Sequence, residues 1–227
     1  MKTLVLAPFS VMGLKRLAAL GAAVHEPWTE TQVLWDPEEL GSRLEAEDFD
    51  ALVVEADFVF EEVFSTAPRL RIVGVCRGAL NQVDLLPATE KGVVVVHAPG
   101  RNARAVAELV IGQILGLARR IPMAERYLRE GRWIEPTGPY IEFQGRELSG
   151  ATLGIIGLGA IGTAVAKLAS AIGMKIVAYD PFAKAVTKVA RVELDQLLEI
   201  ADFVSIHVPD TEETAGLLGA REFQKMK

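Results

Sequence analysis

Three glycines in the stretch TLGIIGLGAIGTAVAKL, Gly157, Gly159 and Gly162, stand in the spacing G-x-G-x-x-G. Each meets a different demand where a strand turns into a helix beneath a phosphate. The first permits the tight turn, the second lets the backbone approach a pyrophosphate, and the third lets helix and strand pack closely. Free N–H groups at such a helix start, with the helix dipole behind them, bind the diphosphate. The spacing alone is weak, because glycines punctuate many structural turns. Here an apolar strand precedes it, an apolar helix follows, and the next apolar run ends in Asp180, about 20 residues on, where a carboxylate takes the ribose hydroxyls. A carboxylate there repels a 2′-phosphate, so NAD is favoured over NADP. No arginine follows at once in PFAKAV, and only Lys184 in that stretch argues for NADP.

Chemistry at a carbonyl or hydroxyl also needs a group that gives or takes a proton. By residue type the candidates are His25, His97 and His207. His25 closes an early strand at the periphery and is expected to face solvent. His97 sits beside Pro99 at a break in the pattern and is expected to be structural. His207 falls at a strand end on the same side as the glycine-rich turn. Cys76, the single cysteine, forms no intrachain disulfide and is expected to be a small apolar residue at a strand end.

The elements that must hold these groups follow from periodicity. Parallel strands covered on both faces read as continuous apolar runs, and Thr3–Leu6, Ala51–Val54, Ile72–Val75 and Val93–Val96 qualify, with a further strand at Ala22–His25. Helix-like segments alternate with them at Met12–Leu20, Pro37–Ala46 and Glu61–Thr66. After His97, APGRN breaks the pattern, and Ala103–Arg120 follows, apolar on most faces; such a helix is buried on several sides or sits in a subunit interface. Pro122 starts another helix running to about Glu130, and GRWIEPTGPY reads as a loop. A second strand and helix series then begins: Leu153–Ile156, Ile161–Ile172, Lys175–Tyr179, Leu194–Ile200 and Phe203–Val208. The expected fold is α/β with two open parallel-sheet lobes: a flavodoxin-like lobe over residues 1–100 and an incomplete Rossmann dinucleotide-binding lobe over 101–227.

The 227 residues carry a formal charge of −6 and no Lys/Arg-rich block, so nucleic acid is not an expected partner. The uncharged stretch Leu148–Ala166 reaches the roughly 18 residues at which spanning a bilayer becomes possible. Five glycines interrupt it where a turn would want them, so a strand, turn and helix is expected instead of a membrane segment. One cysteine and no convincing leader fit a cytoplasmic protein.

Five segments together are more specific than a nucleotide fold: VGVCRGALNQVDL (73–85), HAPGRNARAVAELVIGQILGLARR (97–120), GRELSGATLGIIGLGAIG (145–162), AYDPF (178–182) and SIHVPDTEETAGLLGAREFQKMK (205–227). In these the chain resembles the D-isomer-specific 2-hydroxyacid dehydrogenases, the family that includes D-3-phosphoglycerate dehydrogenase and glyoxylate/hydroxypyruvate reductase. The resemblance implies hydride transfer between NAD(H) and a small 2-hydroxy or 2-oxo acid. It places Arg77, Gly78 and Ala79 in the loop whose amides hold the substrate carboxylate. CRGALNQVD departs from the commoner glycine-rich form ending in DNVD, which leaves the substrate open. The resemblance also places Val106 near the nicotinamide, Ala160 and Ile161 with the three glycines at the diphosphate, Asp180 at the ribose, and His207, Val208, Pro209 and Thr214 along the cofactor cleft. It argues against His207 as the acid/base.

The family's catalytic Arg, Glu and His lie beyond the KMK segment, so no residue up to Lys227 is assigned a catalytic role. The chain is expected to end before them and before a helix that returns to the first lobe. The strand Phe203–Val208 would then keep an unpaired edge, with lower stability and a tendency to associate. A homodimer is a further implication of the resemblance. Two other readings stay open: a non-catalytic NAD-binding sensor, partner-binding module or inactive fragment, and a flavodoxin-like FMN protein, which would explain the first lobe but not the glycine-rich turn with Asp180.

Overall fold

The computed structural model describes residues 1–183 and 189–227, and divides into two compact units, Met1–Arg101 and Asn102–Lys227. Lys184 lies outside the described residues.

The first unit runs β1 (Lys2–Val5), α1 (Val11–Ala18), β2 (Ala22–His25), α2 (Trp28–Thr31), α3 (Pro37–Ala46), β3 (Ala51–Val54), α4 (Glu61–Thr66), β4 (Ile72–Val75), α5 (Leu85–Glu90) and β5 (Val94–His97). Its strands are all parallel, in the order β2-β1-β3-β4-β5. This is the flavodoxin-like order, in which ligands bind outside the carboxyl ends of the strands. Leu4, Leu52 and Val73 from the sheet share a core with Leu40, Leu44 and Phe64 from α3 and α4. Cover on the two faces is unequal: β1 and β3 are buried along most of their length, while β4 alternates in burial and Val94 and Val96 of β5 are 57% and 47% exposed. Asp36 caps α3 by accepting from the Glu38 N–H at 2.9 Å, and Pro37 occupies the first turn, where its missing N–H costs nothing. A hollow of about 520 Å³, lined by Phe9, Leu17, Leu20, Val53 and Val96, lies beside the same sheet.

The second unit begins with α6 (Ala103–Ala118), α7 (Ile121–Arg129) and α8 (Thr137–Glu142), then continues β6 (Thr152–Ile156), α9 (Ala160–Ala171), β7 (Lys175–Tyr179), β8 (Ala190–Arg191), α10 (Leu194–Ile200), β9 (Phe203–Ile206) and α11 (Ala220–Lys225). Its parallel sheet has the order β8-β7-β6-β9. Numbered within the unit this is 3-2-1-4, the first four positions of the doubly wound dinucleotide-binding order. Leu153 and Ile155 of β6 pack with Val165 and Ala169 of α9 and with Ala107 and Ile114 of α6, while Ile156 joins Leu197 and Leu198 of α10 on the other side. The uncharged stretch Leu148–Ala166 is therefore the end of a loop, β6, the turn and the start of α9. No helix among the described residues is long and apolar enough to cross a membrane.

Three local expectations need correction, and one pair of alternatives is narrowed. The segment GRWIEPTGPY is not all loop: α8 starts at Thr137 because the Glu135 carboxylate accepts the Thr137 and Gly138 N–H groups, both at 2.8 Å. Of the two alternatives for α6, burial on several sides within the unit is ruled out, because Ala107, Ile114 and Ala118 are buried while Leu109 and Leu117 are 62% and 71% exposed; the subunit-interface alternative stands. His25 is half-buried, its Nε2 3.2 Å from the Ala7 carbonyl, because the chain leaving β1 folds back over it. β9 ends at Ile206, so His207 and Val208 belong to the loop that follows. The short elements α2, α5 and β8 show no period in the sequence and emerge only in the structure.

Candidate functional site

β6 leads into the glycine-rich turn, and the three glycines there do three separate things. Gly157 has φ +93°, a left-handed conformation, and a Cβ on it would lie 2.9 Å from the His207 carbonyl oxygen. A Cβ on Gly162 would lie 1.9 Å from the Gly157 carbonyl oxygen, so α9 can approach the turn only because no side chain is there. A Cβ on Gly159 would meet nothing within 4 Å. That open space stands at the N-cap of the twelve-residue α9, where no side chain caps the helix. Gly159 and Ala160 are exposed, and Ile161 half-buried. The first N–H groups of a helix have no partner within it, so this is a cradle of donors with room for an anion.

Asp180, just past β7, closes the turn. Its Oδ2 accepts the Leu158 N–H at 2.7 Å and its Oδ1 accepts those of Phe182 and Ala183 at 2.8 and 2.9 Å. A carboxylate offers about four lone-pair sites, so acceptor capacity remains for a ribose hydroxyl. Gly157, Gly159, Asp180, His207, Val208, Pro209 and Thr214 line a common cleft of about 610 Å³ at the carboxyl ends of β6, β7 and β9. Thr214 holds the far wall: its hydroxyl donates to the Pro209 carbonyl at 2.6 Å and accepts the Thr211 N–H at 2.9 Å. The His207 ring lies 2.8 Å from the Ser205 hydroxyl, and burial pushes its pKa below the usual histidine value by disfavouring the charged ring. Val106 does not join this cleft; it is half-buried on α6. Tyr179, Phe182 and Thr211 do line it. The sequence reading did not single them out, although adjacency to Asp180 and Pro209 was an available signal.

Arg77, Gly78 and Ala79 form an exposed loop after β4 in the first unit. The end of β5 clamps its backbone, as His97 Nδ1–H donates to the Gly78 carbonyl at 3.0 Å and the Ala98 N–H to the Arg77 carbonyl at 3.0 Å. His97 thus positions the loop. Gln82, within the NQVD segment that departs from DNVD, is buried, and its Nε2 donates to the Glu55 carbonyl at 2.9 Å. Cys76 is half-buried beside this loop, and burial pushes its thiol pKa up, which disfavours the thiolate. Asp57, two residues past Glu55, is fully buried; its Oδ1 accepts the Trp35 N–H at 3.1 Å and its Oδ2 has no partner among the described residues.

Residues 111–227 match the family described as D-isomer specific 2-hydroxyacid dehydrogenase, NAD binding domain. The chain belongs to this family. Its second unit is an NAD-binding domain, and the open cradle at Gly159 together with the free acceptor capacity of Asp180 fits that cofactor. Among relatives, YoaD of Bacillus subtilis (strain 168), whose name places it among 2-hydroxyacid dehydrogenases, is 38% identical over all of this chain and 67% of its own length. A D-3-phosphoglycerate dehydrogenase of Archaeoglobus fulgidus is 40% identical over 81% of this chain. The chain spans 35% of that enzyme's length. Among solved structures, the TT0316 protein from Thermus thermophilus superposes with a TM-score of 0.87 at 33% identity, covering 100% of this chain and 71% of that one.

Proposed function

We propose that the chain carries the cofactor-binding and substrate-binding parts of an NAD-dependent D-2-hydroxyacid dehydrogenase, which moves a hydride between NAD(H) and a 2-hydroxy or 2-oxo acid. The observation that carries this reading is the turn at Gly157–Gly162 closed by Asp180: an anion cradle and a ribose acceptor in one cleft. Residues 1–100 take the substrate role and 101–227 the cofactor role. NAD(H) bound in the second unit supplies or accepts the hydride. Ala160 and Ile161 present N–H groups to the diphosphate, Asp180 accepts from the ribose, and His207, Val208, Pro209 and Thr214 wall the cleft. Val106, on α6, is assigned to the nicotinamide end.

In the first unit the amides around Arg77, Gly78 and Ala79 hold the substrate carboxylate, with His97 fixing the loop that presents them. Removal of the hydroxyl proton is assigned to no residue up to Lys227. Leu109 and Leu117 of α6, Ile121 and Met123 of α7 and Ile141 of α8, each more than half exposed, support a homodimer through the second unit. A cytoplasmic location is the companion reading of the single cysteine.

The test is a titration with NADH followed by energy transfer from Trp133 and its neighbours to the nicotinamide, then addition of glyoxylate and hydroxypyruvate while the nicotinamide absorbance is followed. Saturable NADH binding is expected. Its absence would overturn the reading. Binding with turnover would require proton chemistry from a residue within this chain, whereas binding without turnover favours an NAD-binding module whose proton chemistry is supplied elsewhere.

A further inference from the structure

The charges at the carboxyl edge of the first sheet can be counted one by one. Glu26, directly after β2, is bound by the Arg43 guanidinium of α3 at 2.7 and 2.9 Å. Glu55, directly after β3, accepts the Trp28 Nε1–H at 3.2 Å on Oε2 and pairs with Arg101 through Oε1. Arg77, two residues past β4, reaches only a neutral group, the side-chain oxygen of Gln82 at 3.4 Å. The same Gln82 donates to the Glu55 carbonyl, so Glu55, Arg77 and Arg101 share one corner of the unit. Among the described residues Arg77 has no carboxylate partner.

Two arginines therefore stand at this corner, and one is neutralised from within. Glu55 is 17% exposed while Arg101 is 50% exposed, so the carboxylate is the shielded member and the guanidinium faces outward with its charge already matched. An incoming monocarboxylate finds one unmatched cation, Arg77. A second anionic group on the same ligand finds no other unmatched arginine at this corner among the described residues, and it also meets the Glu55 carboxylate in a partly desolvated setting, where like charges repel more strongly than in water.

Resting on the dehydrogenase reading above, we propose that Glu55 is a specificity-determining residue: by holding Arg101 it limits the first unit to 2-oxo and 2-hydroxy acids with a single carboxylate and no second anionic group, and so selects against phosphorylated acids. This is selection by an internal charge, in which one residue removes a cation that the wrong ligand would need. Trp28, held to the same carboxylate, presents an apolar ring beside it and suits a short uncharged tail.

Hydroxypyruvate and 3-phosphohydroxypyruvate differ by the phosphate alone, and calorimetric titration of each into the NADH-loaded protein reads the selection as a ratio of Kd values. The unsubstituted protein is expected to bind hydroxypyruvate at least about tenfold more tightly. Glu55→Gln frees Arg101, and is expected to narrow that ratio by about tenfold with little change for hydroxypyruvate. In Glu55→Gln combined with Arg101→Met the gain should vanish. Where Glu55→Gln alone disturbs folding, Arg101→Gln serves instead, and should widen the ratio because Glu55 is left unmatched. Equal or tighter binding of the phosphorylated acid by the unsubstituted protein, or a ratio unmoved by Glu55→Gln, would overturn the inference. A protein that binds NADH but neither acid would overturn the substrate reading beneath it, a result distinct from both acids binding without discrimination.

Discussion

Gly159 and Gly162 belong to one motif yet answer to different constraints, and substitution separates them. Gly162→Ala drives a methyl into the Gly157 carbonyl, which neither backbone can yield, so a loss of about 1–3 kcal/mol in stability is expected by chemical denaturation. Gly159→Ala meets open space and should leave the denaturation midpoint unchanged while NADH affinity falls by about tenfold, roughly 1.4 kcal/mol. Equal effects of the two on stability would argue that the turn is structural only. Asp57 gives a prediction with a definite sign. Burial raises its pKa above 3.8, so the folded state holds the proton to higher pH than the unfolded chain does. Its favourable contribution is complete below the unfolded value and is lost as pH rises through the folded one. Asp57→Asn keeps an oxygen for the Trp35 N–H and removes the buried charge. It should exceed the wild type in stability by about 1 kcal/mol at pH 8, with the gap closing toward pH 4 in urea denaturation.

At the scale of elements, α3 is fastened to the end of β2 through one side chain. Arg43 holds Glu26 with two hydrogen bonds and Glu47 with a third at 2.9 Å, and its guanidinium lies 4.9 Å from the Trp35 ring. The Arg43 hydrogen bonds also hold the Glu26 carboxyl below the usual carboxylate range. Arg43→Met keeps the stem packing and loses the fork; with Glu26 partly exposed, screening limits the expected loss to about 1 kcal/mol. A calorimetric melt of the variant checks this. The apolar runs of β1, β3 and β6 were legible in the sequence because these strands are buried along most of their length, as parallel strands covered on both faces are; β4 has the same apolar composition but alternates in burial. The α8 cap was not, because Glu135 acts on N–H groups two and three residues ahead while Pro136 and Gly138 read as loop. α6 was legible as a helix but not in its exposure, since an apolar composition does not say which faces find a partner.

For the whole molecule, the exposed apolar side chains of α6, α7 and α8 predict self-association through the second unit. Light scattering is expected to give twice the 24.6 kDa chain mass, and Leu117→Glu, which puts a charge on a residue now 71% exposed, should return the monomer without lowering the melting temperature. A wild-type monomer at micromolar concentration would contradict this.

Residue types and spacing alone pointed to the α/β class, the parallel strands, the glycine-rich turn and the acid that follows it. These are legible because each depends on local backbone geometry or on a short-range period, whereas the family was legible only as a resemblance carried by five segments. Only the tertiary structure decided that Gly159 faces open space while Gly162 is closed in, that His97 clamps the Gly78 carbonyl across 19 residues, that Asp57 is buried with an unpartnered oxygen, and that Glu55 pairs with Arg101 across 46 residues of chain. Burial and charge pairing depend on which strand ends the sheet order brings side by side, and no local pattern in the chain records that order.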